Sequence, residues 1–294
     1  MNSNKIIIGS ANFENYYGQG KNKISSKEIQ RLFYIAKKNK IHKIDTSPKY
    51  GKAEEIIGKY KFSKLKVISK IGKTPENIND ISLKIYLYKS IFKTLKNLKN
   101  KKIESILIQN SEILLRPQGK VIYNFLSLLK DANIIKKIGI SIYDYKNLKK
   151  ILNNFKIDLI QAPLNIVDTR LIETGWLERL RKKDIEVHVR SIFFQGLLLL
   201  KANELPKSLY DFVPHWERWE NWLKINKLSP MEACVNFVTK FKHINKFVIG
   251  FNNSNQLKEI LLLKISKNKI VFPLIKVNKK MISPLSWNNV KLKN

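Results

Sequence analysis

Short apolar runs rich in isoleucine and valine alternate along the chain with longer segments whose apolar residues recur every three or four positions. The runs are KIIIG (5–9), KIDTS (43–47), KVISK (66–70), SILIQ (105–109), KIGISIY (137–143), DLIQA (158–162), EVHVRSI (186–192) and KFVIG (246–250). Each is brief and β-branched, which predicts a strand buried on both faces of a parallel sheet. Between the first two, SSKEIQRLFYIAKKNK (25–40) puts Ile29, Leu32, Phe33 and Ala36 on one helical face. Ser25, three residues before Glu28, makes a capping box. The segments at 84–100, 145–155, 171–183 and 229–242 have the same period, and Ser229–Pro230 suits an N-cap and first helical turn. Eight strands alternating with helices over 294 residues predict an α/β chain forming one (β/α)8 TIM barrel. Its core spans about 5–264, with a C-terminal extension over 265–294 and a long connection after the seventh strand at 203–224. A doubly wound open sheet would carry a GxGxxG turn after an early strand, and the sequence has none.

Composition narrows the partners. A hydrophobic content of 44% with 10% aromatics fits a folded domain. No apolar run approaches the roughly 18 residues of a membrane span, and the N-terminus lacks the apolar stretch of a signal peptide. The single cysteine, Cys234, leaves no intramolecular disulfide, which fits a reducing cytoplasm, and MEACVNFV reads as a packed helix core. Lys plus Arg exceeds Asp plus Glu by 56 − 23, a net charge of +33. Yet only seven of the 56 are arginines, and the lysines are scattered, whereas base readout favours clustered Arg. Specific nucleic-acid binding is not expected, and a polyanion-binding protein is the distant alternative.

Polar residues stand at the C-terminal ends of successive strands, where a barrel of this type keeps its active site. Asp45 ends the second run with Tyr50 just beyond, Lys70 ends the third, Gln109 the fourth, and Ser141 lies late in the fifth. Gln161 follows on the sixth, Arg190 and Ser191 on the seventh, and Gly250, Asn252 and Asn253 after the eighth. Burying so many polar groups without partners or ligand would be costly. Asp45, Tyr50 and Lys70 also suggest a chemistry. A tyrosine, with a pKa of about 10, is a poor proton donor at neutral pH unless its phenolate is stabilised. A lysine ammonium held charged by a carboxylate does this without a metal. His42, His188, His215 and His243 show no metal-ligand spacing. Trp216, Trp219 and Trp222 recur at helical spacing, as packing residues do.

The motifs IDTSPKYGKAEEIIG, VISKIG, IGISIYD, DLIQAPLNIVD, VRSIFFQGLL and FVIGFNNSNQLKEI, in this order, resemble those of the aldo-keto reductases. The likeness runs from GSANF (9–13) to NSNQLKEI (253–260). It implies a (β/α)8 barrel that reduces a carbonyl compound with NADPH or NADH bound at the C-terminal rim. Tyr50 would then be the general acid, tuned by Asp45 and Lys70, with Gln109 where the family has histidine. A glutamine can donate a hydrogen bond to a carbonyl oxygen but cannot titrate. Ser141 and Gln161 match the positions that hold the nicotinamide carboxamide, and Arg190 one that often stacks an aromatic ring there. Gln195, Gly196 and Leu197 would pass near the pyrophosphate, and Ser191 is a further candidate for binding the cofactor. Asn252, Asn253, Gln256 and Glu259 fall in the region that receives the adenosine half, with Gly250 a further candidate for binding the cofactor. Gln256 stands where an arginine often reads the 2′-phosphate. Segments QNSEILL and RSIFFQGLLLL are most like the branch associated with surface-sugar metabolism, which suggests a sugar-derived or anionic carbonyl substrate. A catalytically weak or inactive barrel that still binds ligand is the alternative.

Overall fold

The computed structural model describes residues 1–14, 24–72, 74–75, 78–266, 270–273, 275, 277 and 282. All eight expected strands are present: β1 (Ile6–Gly9), β2 (Lys43–Asp45), β3 (Lys66–Ile71), β4 (Ile103–Ile108), β5 (Ile135–Ser141), β6 (Leu159–Pro163), β7 (Glu186–Arg190) and β8 (Lys246–Gly250). Each pairs in parallel with the next, and β8 returns to β1 to close the barrel. Ile7, Ile68, Leu107, Leu159 and Val248 meet in the middle of the barrel. Two residues beyond Ile7, Ile68 and Leu159 come Gly9, Lys70 and Gln161, and Asp45 ends β2.

Around the strands lie α1 (Ser26–Lys38), α2 (Ala53–Tyr60), α3 (Asp80–Asn97), α4 (Gln118–Asp131) and α5 (Leu148–Asn154). They are followed by α6 (Arg170–Glu173), α7 (Trp176–Lys182), α8 (Val213–Asn226), α9 (Pro230–Thr239) and α10 (Ser254–Leu262). The apolar face expected of α1 is the face it buries, through Ile29, Leu32, Phe33 and Ala36. Ser229 and Glu232 form a reciprocal capping box at the start of α9, with Pro230 in its first turn. At α1 only half of the box forms. Ser25 accepts from Glu28 N–H, but the Glu28 carboxylate turns away to Arg31 and to the backbone N–H of Ser254, 2.7 Å distant at the start of α10.

Several boundaries differ from the sequence reading. The fourth strand ends at Ile108, one residue before Gln109, and the fifth at Ser141, two before Tyr143. The seventh stops at Arg190 because Ser191 takes a left-handed φ of 58°, which cannot continue a ladder. The long connection at 203–224 is largely helical, since the tryptophan spacing belongs to α8. Of the extension expected at 265–294, most lies outside the described residues. Within it, Phe272 packs against Trp222 and Phe237, and Trp222 donates to the Val271 carbonyl at 3.1 Å. Cys234 is buried and unpaired in α9, as its setting predicts.

The N-terminal end of the barrel is an ionic floor. Glu186 bonds the ring of buried His188 at 2.7 Å, takes a bond from Lys137, and sits 3.5 Å from Lys43. Such a cluster at this face belongs to stability, not to chemistry.

Candidate active site

At the opposite end the chain leaves β2 through Thr46, whose N–H still bonds the Ile68 carbonyl at 2.8 Å, and then turns back on itself. Tyr50 N–H bonds the Ser47 carbonyl at 2.9 Å, and Gly51 takes the left-handed φ of 58° that lets α2 begin. This turn sets the Tyr50 ring above the ends of β2 and β3. Lys70 Nζ lies 5.3 Å from the ring centroid. It donates to Asp45 Oδ1 at 2.6 Å and to the Thr46 carbonyl at 2.8 Å, and both members of the ion pair are almost fully buried. Gln161 completes the carboxylate's shell from β6, donating to Asp45 Oδ2 at 2.8 Å. The three residues picked out of separate segments therefore meet.

Asp45 and Tyr50 border a cavity of about 330 Å³, within the size range of small-ligand sites, with Lys70 buried behind them. Asp45, Tyr50, Gln161 and Arg190 line its inner end. Ser191, Gln195 and Gly196 line it from beyond β7, and Gly250, Asn252 and Gln256 from the end of β8 onward. Apolar side chains, among them Phe193, Met231 and Ile260, make up much of the remainder. A wider depression of about 660 Å³ lies by the floor, beside Lys137, Asp158 and Glu186, whereas Asp45, Gln161 and Arg190 border the smaller cavity.

The electrostatics depart from the sequence expectation. Burial, then the Asp45 carboxylate, pushes the Tyr50 phenol well above its ordinary range. The cation that opposes this is Arg190, whereas Lys70 is occupied by Asp45. Tyr50 is thus held protonated rather than poised toward phenolate. Arg190 itself stacks on Tyr143, with its guanidinium carbon 4.1 Å from the ring centroid, and Nη2 donates to the Ile142 carbonyl at 3.1 Å.

Not every expected residue joins this group. Gln109 stands just past β4 and lines a separate pocket of about 60 Å³ with Thr74 and Arg116, its Oε1 buried without a hydrogen-bond partner. Ser141 is buried at the end of β5 in register with Gln161, off the cavity wall. Leu197 is core, Glu259 is exposed, and Asn253 is the cap of α10, its Oδ1 accepting from Gln256 N–H at 3.0 Å. Two residues not singled out from the sequence belong here. Buried Asn12 follows β1 and bonds the Phe251 carbonyl and Asn252 Oδ1, while its own Oδ1 lacks a partner. Asn165, after β6, donates to the Ser191 carbonyl at 2.9 Å. Both follow strand ends, which was the available signal.

The wall at 191–196 is unusual backbone. Ser191, Phe194 and Gln195 are all left-handed, and Gly196 has φ 92°, open only to glycine without strain. Trp216 and Trp219, fully buried on α8, hold this wall by donating from their ring N–H groups to the Leu197 and Leu198 carbonyls at 3.0 and 3.1 Å.

The sequence model of the Aldo/keto reductase family matches residues 5–270. This chain belongs to the aldo/keto reductase family. Membership makes it an oxidoreductase, of a family that generally uses NAD(P)H. Solved members superpose on it. An aldo-keto reductase from Bacillus halodurans, in its holo form, aligns with TM-score 0.70 and 18% identity over 87% of this chain and 85% of that one. A glycerol dehydrogenase from Gluconobacter oxydans aligns with TM-score 0.65 and 19% identity over 87% and 86%. At such identities the likeness is one of fold. No curated protein matches the chain. The family's dinucleotide fits what the cavity offers, an unpartnered Asn12 Oδ1 and a wall of left-handed backbone, whereas the first N–H groups of α10 are already taken by Glu28 and Asn253.

Proposed function

We propose that this family member reduces a carbonyl compound to an alcohol with Tyr50 as general acid. The observation that carries the reading is the buried Lys70–Asp45 pair beside the Tyr50 ring, with Asp45 and Tyr50 on the wall of a ligand-sized cavity. Bound NADPH or NADH supplies the hydride. The protein's part is to position and to protonate. Tyr50 keeps its proton through neutral pH and gives it to the carbonyl oxygen as charge develops there. Lys70 and Asp45 fix the ring's surroundings, and the pair is neutral overall, so it does not drive the phenol to ionise early. Gln195, Gly196, Asn252 and Gln256 line the path along which the cofactor would lie, with Gln161 at its inner end. Arg190 has no carboxylate partner among the described residues. An uncompensated guanidinium on the cavity wall favours an anionic or sugar-acid carbonyl over a neutral one.

Gln109, turned into its side pocket, is left out of the proton step. That is the observation favouring the second reading, a barrel that binds cofactor but turns over slowly.

Titration of intrinsic fluorescence with NADPH and NADH, followed by turnover on a panel of aldehydes and sugar acids, tests both. Tyr50→Phe should retain cofactor binding and lower kcat by about 10²–10⁴. Gln109→His should change turnover little, because its side chain does not reach the cavity. Cofactor binding without Tyr50-dependent turnover would favour the binding-only barrel, and absence of cofactor binding would sink both readings.

A further inference from the structure

Helix α3 is apolar on two faces. Leu83, Leu87, Ile91 and Leu95 pack inward against the barrel. On the outer side Ile81, Ile85, Tyr88 and Phe92 stand 71%, 50%, 54% and 38% exposed, at the i, i+4, i+7, i+11 spacing that draws one line along a helix. Tyr88 and Phe92 stack with ring centroids 4.2 Å apart. Scattered exposed apolar residues are ordinary, but an aligned row of four on one helix is not. Lysines border the row: Lys84 on one side, Lys89, Lys93 and Lys96 on the other, all exposed. At the C-terminal end of the row lies a depression of about 570 Å³. Phe92, Leu95 and Ile134 line it, and Lys96, Lys99 and Lys101 rim it.

We propose that α3 is a docking edge for an anionic lipid surface, its apolar row entering the headgroup boundary while the flanking lysines meet acidic headgroups. Charge selects this occupant. A second copy of the chain, brought in by a two-fold axis, would set four lysines against four lysines on a molecule already at +33. A plane of acidic headgroups complements that charge, and lysines beside an apolar row place their stems in the boundary and their ammonium groups above it. The shape agrees, because a single projecting helix is a ridge and suits a soft plane. Among the described residues no helix is long and apolar enough to cross a membrane, so contact would be peripheral. The lysine-rimmed depression has room for one acidic headgroup. Because α3 lies along the outside of the barrel, this contact leaves the cavity at the strand ends uncovered.

Cosedimentation with large unilamellar vesicles of phosphatidylcholine, with and without about one-third phosphatidylglycerol, tests the proposal in the full chain at near-physiological salt. Binding should need the acidic lipid and weaken about fivefold for each of Lys84, Lys89, Lys93 and Lys96 changed to Gln. The quadruple change Ile81→Ser, Ile85→Ser, Tyr88→Ser and Phe92→Ser should weaken it about tenfold or more at unchanged net charge. Changing Tyr34 and Tyr210, exposed aromatics on other elements, to Ser should leave it unaltered. Three results would overturn the idea: no preference for acidic vesicles, equal binding by the apolar quadruple variant, or a wild-type dimer that this variant converts to monomer in sedimentation velocity.

Discussion

Glu28 and Glu54 look alike in the sequence, each an acidic residue in the first turn of a helix, and the fold puts them to opposite uses. Glu54 is buried, accepting from Ser69 and Thr94 hydroxyls at 2.9 and 3.1 Å, and burial raises its pKa against those bonds. Its charge is therefore a cost that grows as pH rises. The Glu28 carboxyl is held down to about 2, first by the Ser254 backbone N–H and then by Arg31. A lowered carboxyl stabilises above the unfolded value of about 4.3 and loses that contribution as pH falls. Glu28→Gln should therefore cost about 1 kcal/mol at pH 7, with the gap from wild type in urea melts shrinking below about pH 4.3. Asp45, Tyr50 and Lys70 were legible because each has a fixed place relative to a strand end. The partner of Glu28 was not, since nothing local tells a first-turn glutamate whether to close its own box or to cap a helix 226 residues away.

All eight strands, the apolar face of α1 and several other helices could be read from periodicity, because burial on both sides of a strand and on one stripe of a helix dictates residue type, whereas α4 was not picked out. Strand ends could not be read to the residue, and one such end decides the placement of Gln109. The wall from Ser191 to Gly196 escaped for another reason: its left-handed residues are not glycines, apart from Gly196, and are held by contacts distant in sequence. Asn165 is the clearest of these, because its side chain also accepts from the backbone N–H groups of Val167 and Asp168 and so is rigid before it reaches Ser191. Asn165→Ala should weaken nucleotide binding about tenfold while costing 1–3 kcal/mol in stability, about what loss of a buried hydrogen-bonding partner costs. Fluorescence titration beside a urea melt separates the two effects. An unchanged nucleotide affinity would show that Asn165 serves the fold alone.

Over the whole molecule, the two ends of the barrel divide the work. The mouth gathers polar groups around a cavity, and the floor locks charges against one another. His188 spans the two, bonded to Glu186 below and close enough to Asp45 to feel its charge. Burial lowers the His188 pKa, against the pull of Glu186, and nearby Lys43 lowers it further. With a folded value below the unfolded one of about 6.5, the unfolded chain takes up a proton that the folded chain refuses, so stability falls as pH drops from there. The melting temperature of wild type should decline between about pH 6.5 and 5, and His188→Gln should flatten that decline. The pairing of β1 with β8 carries a further consequence, in time rather than in space. Residues 6–9 are synthesised long before their partners at 247–250. Until those emerge, both the first strand and β7 present open edges, and the nascent chain must be kept from pairing them elsewhere. Release of β8 is thus the step at which the barrel can close and both edges disappear.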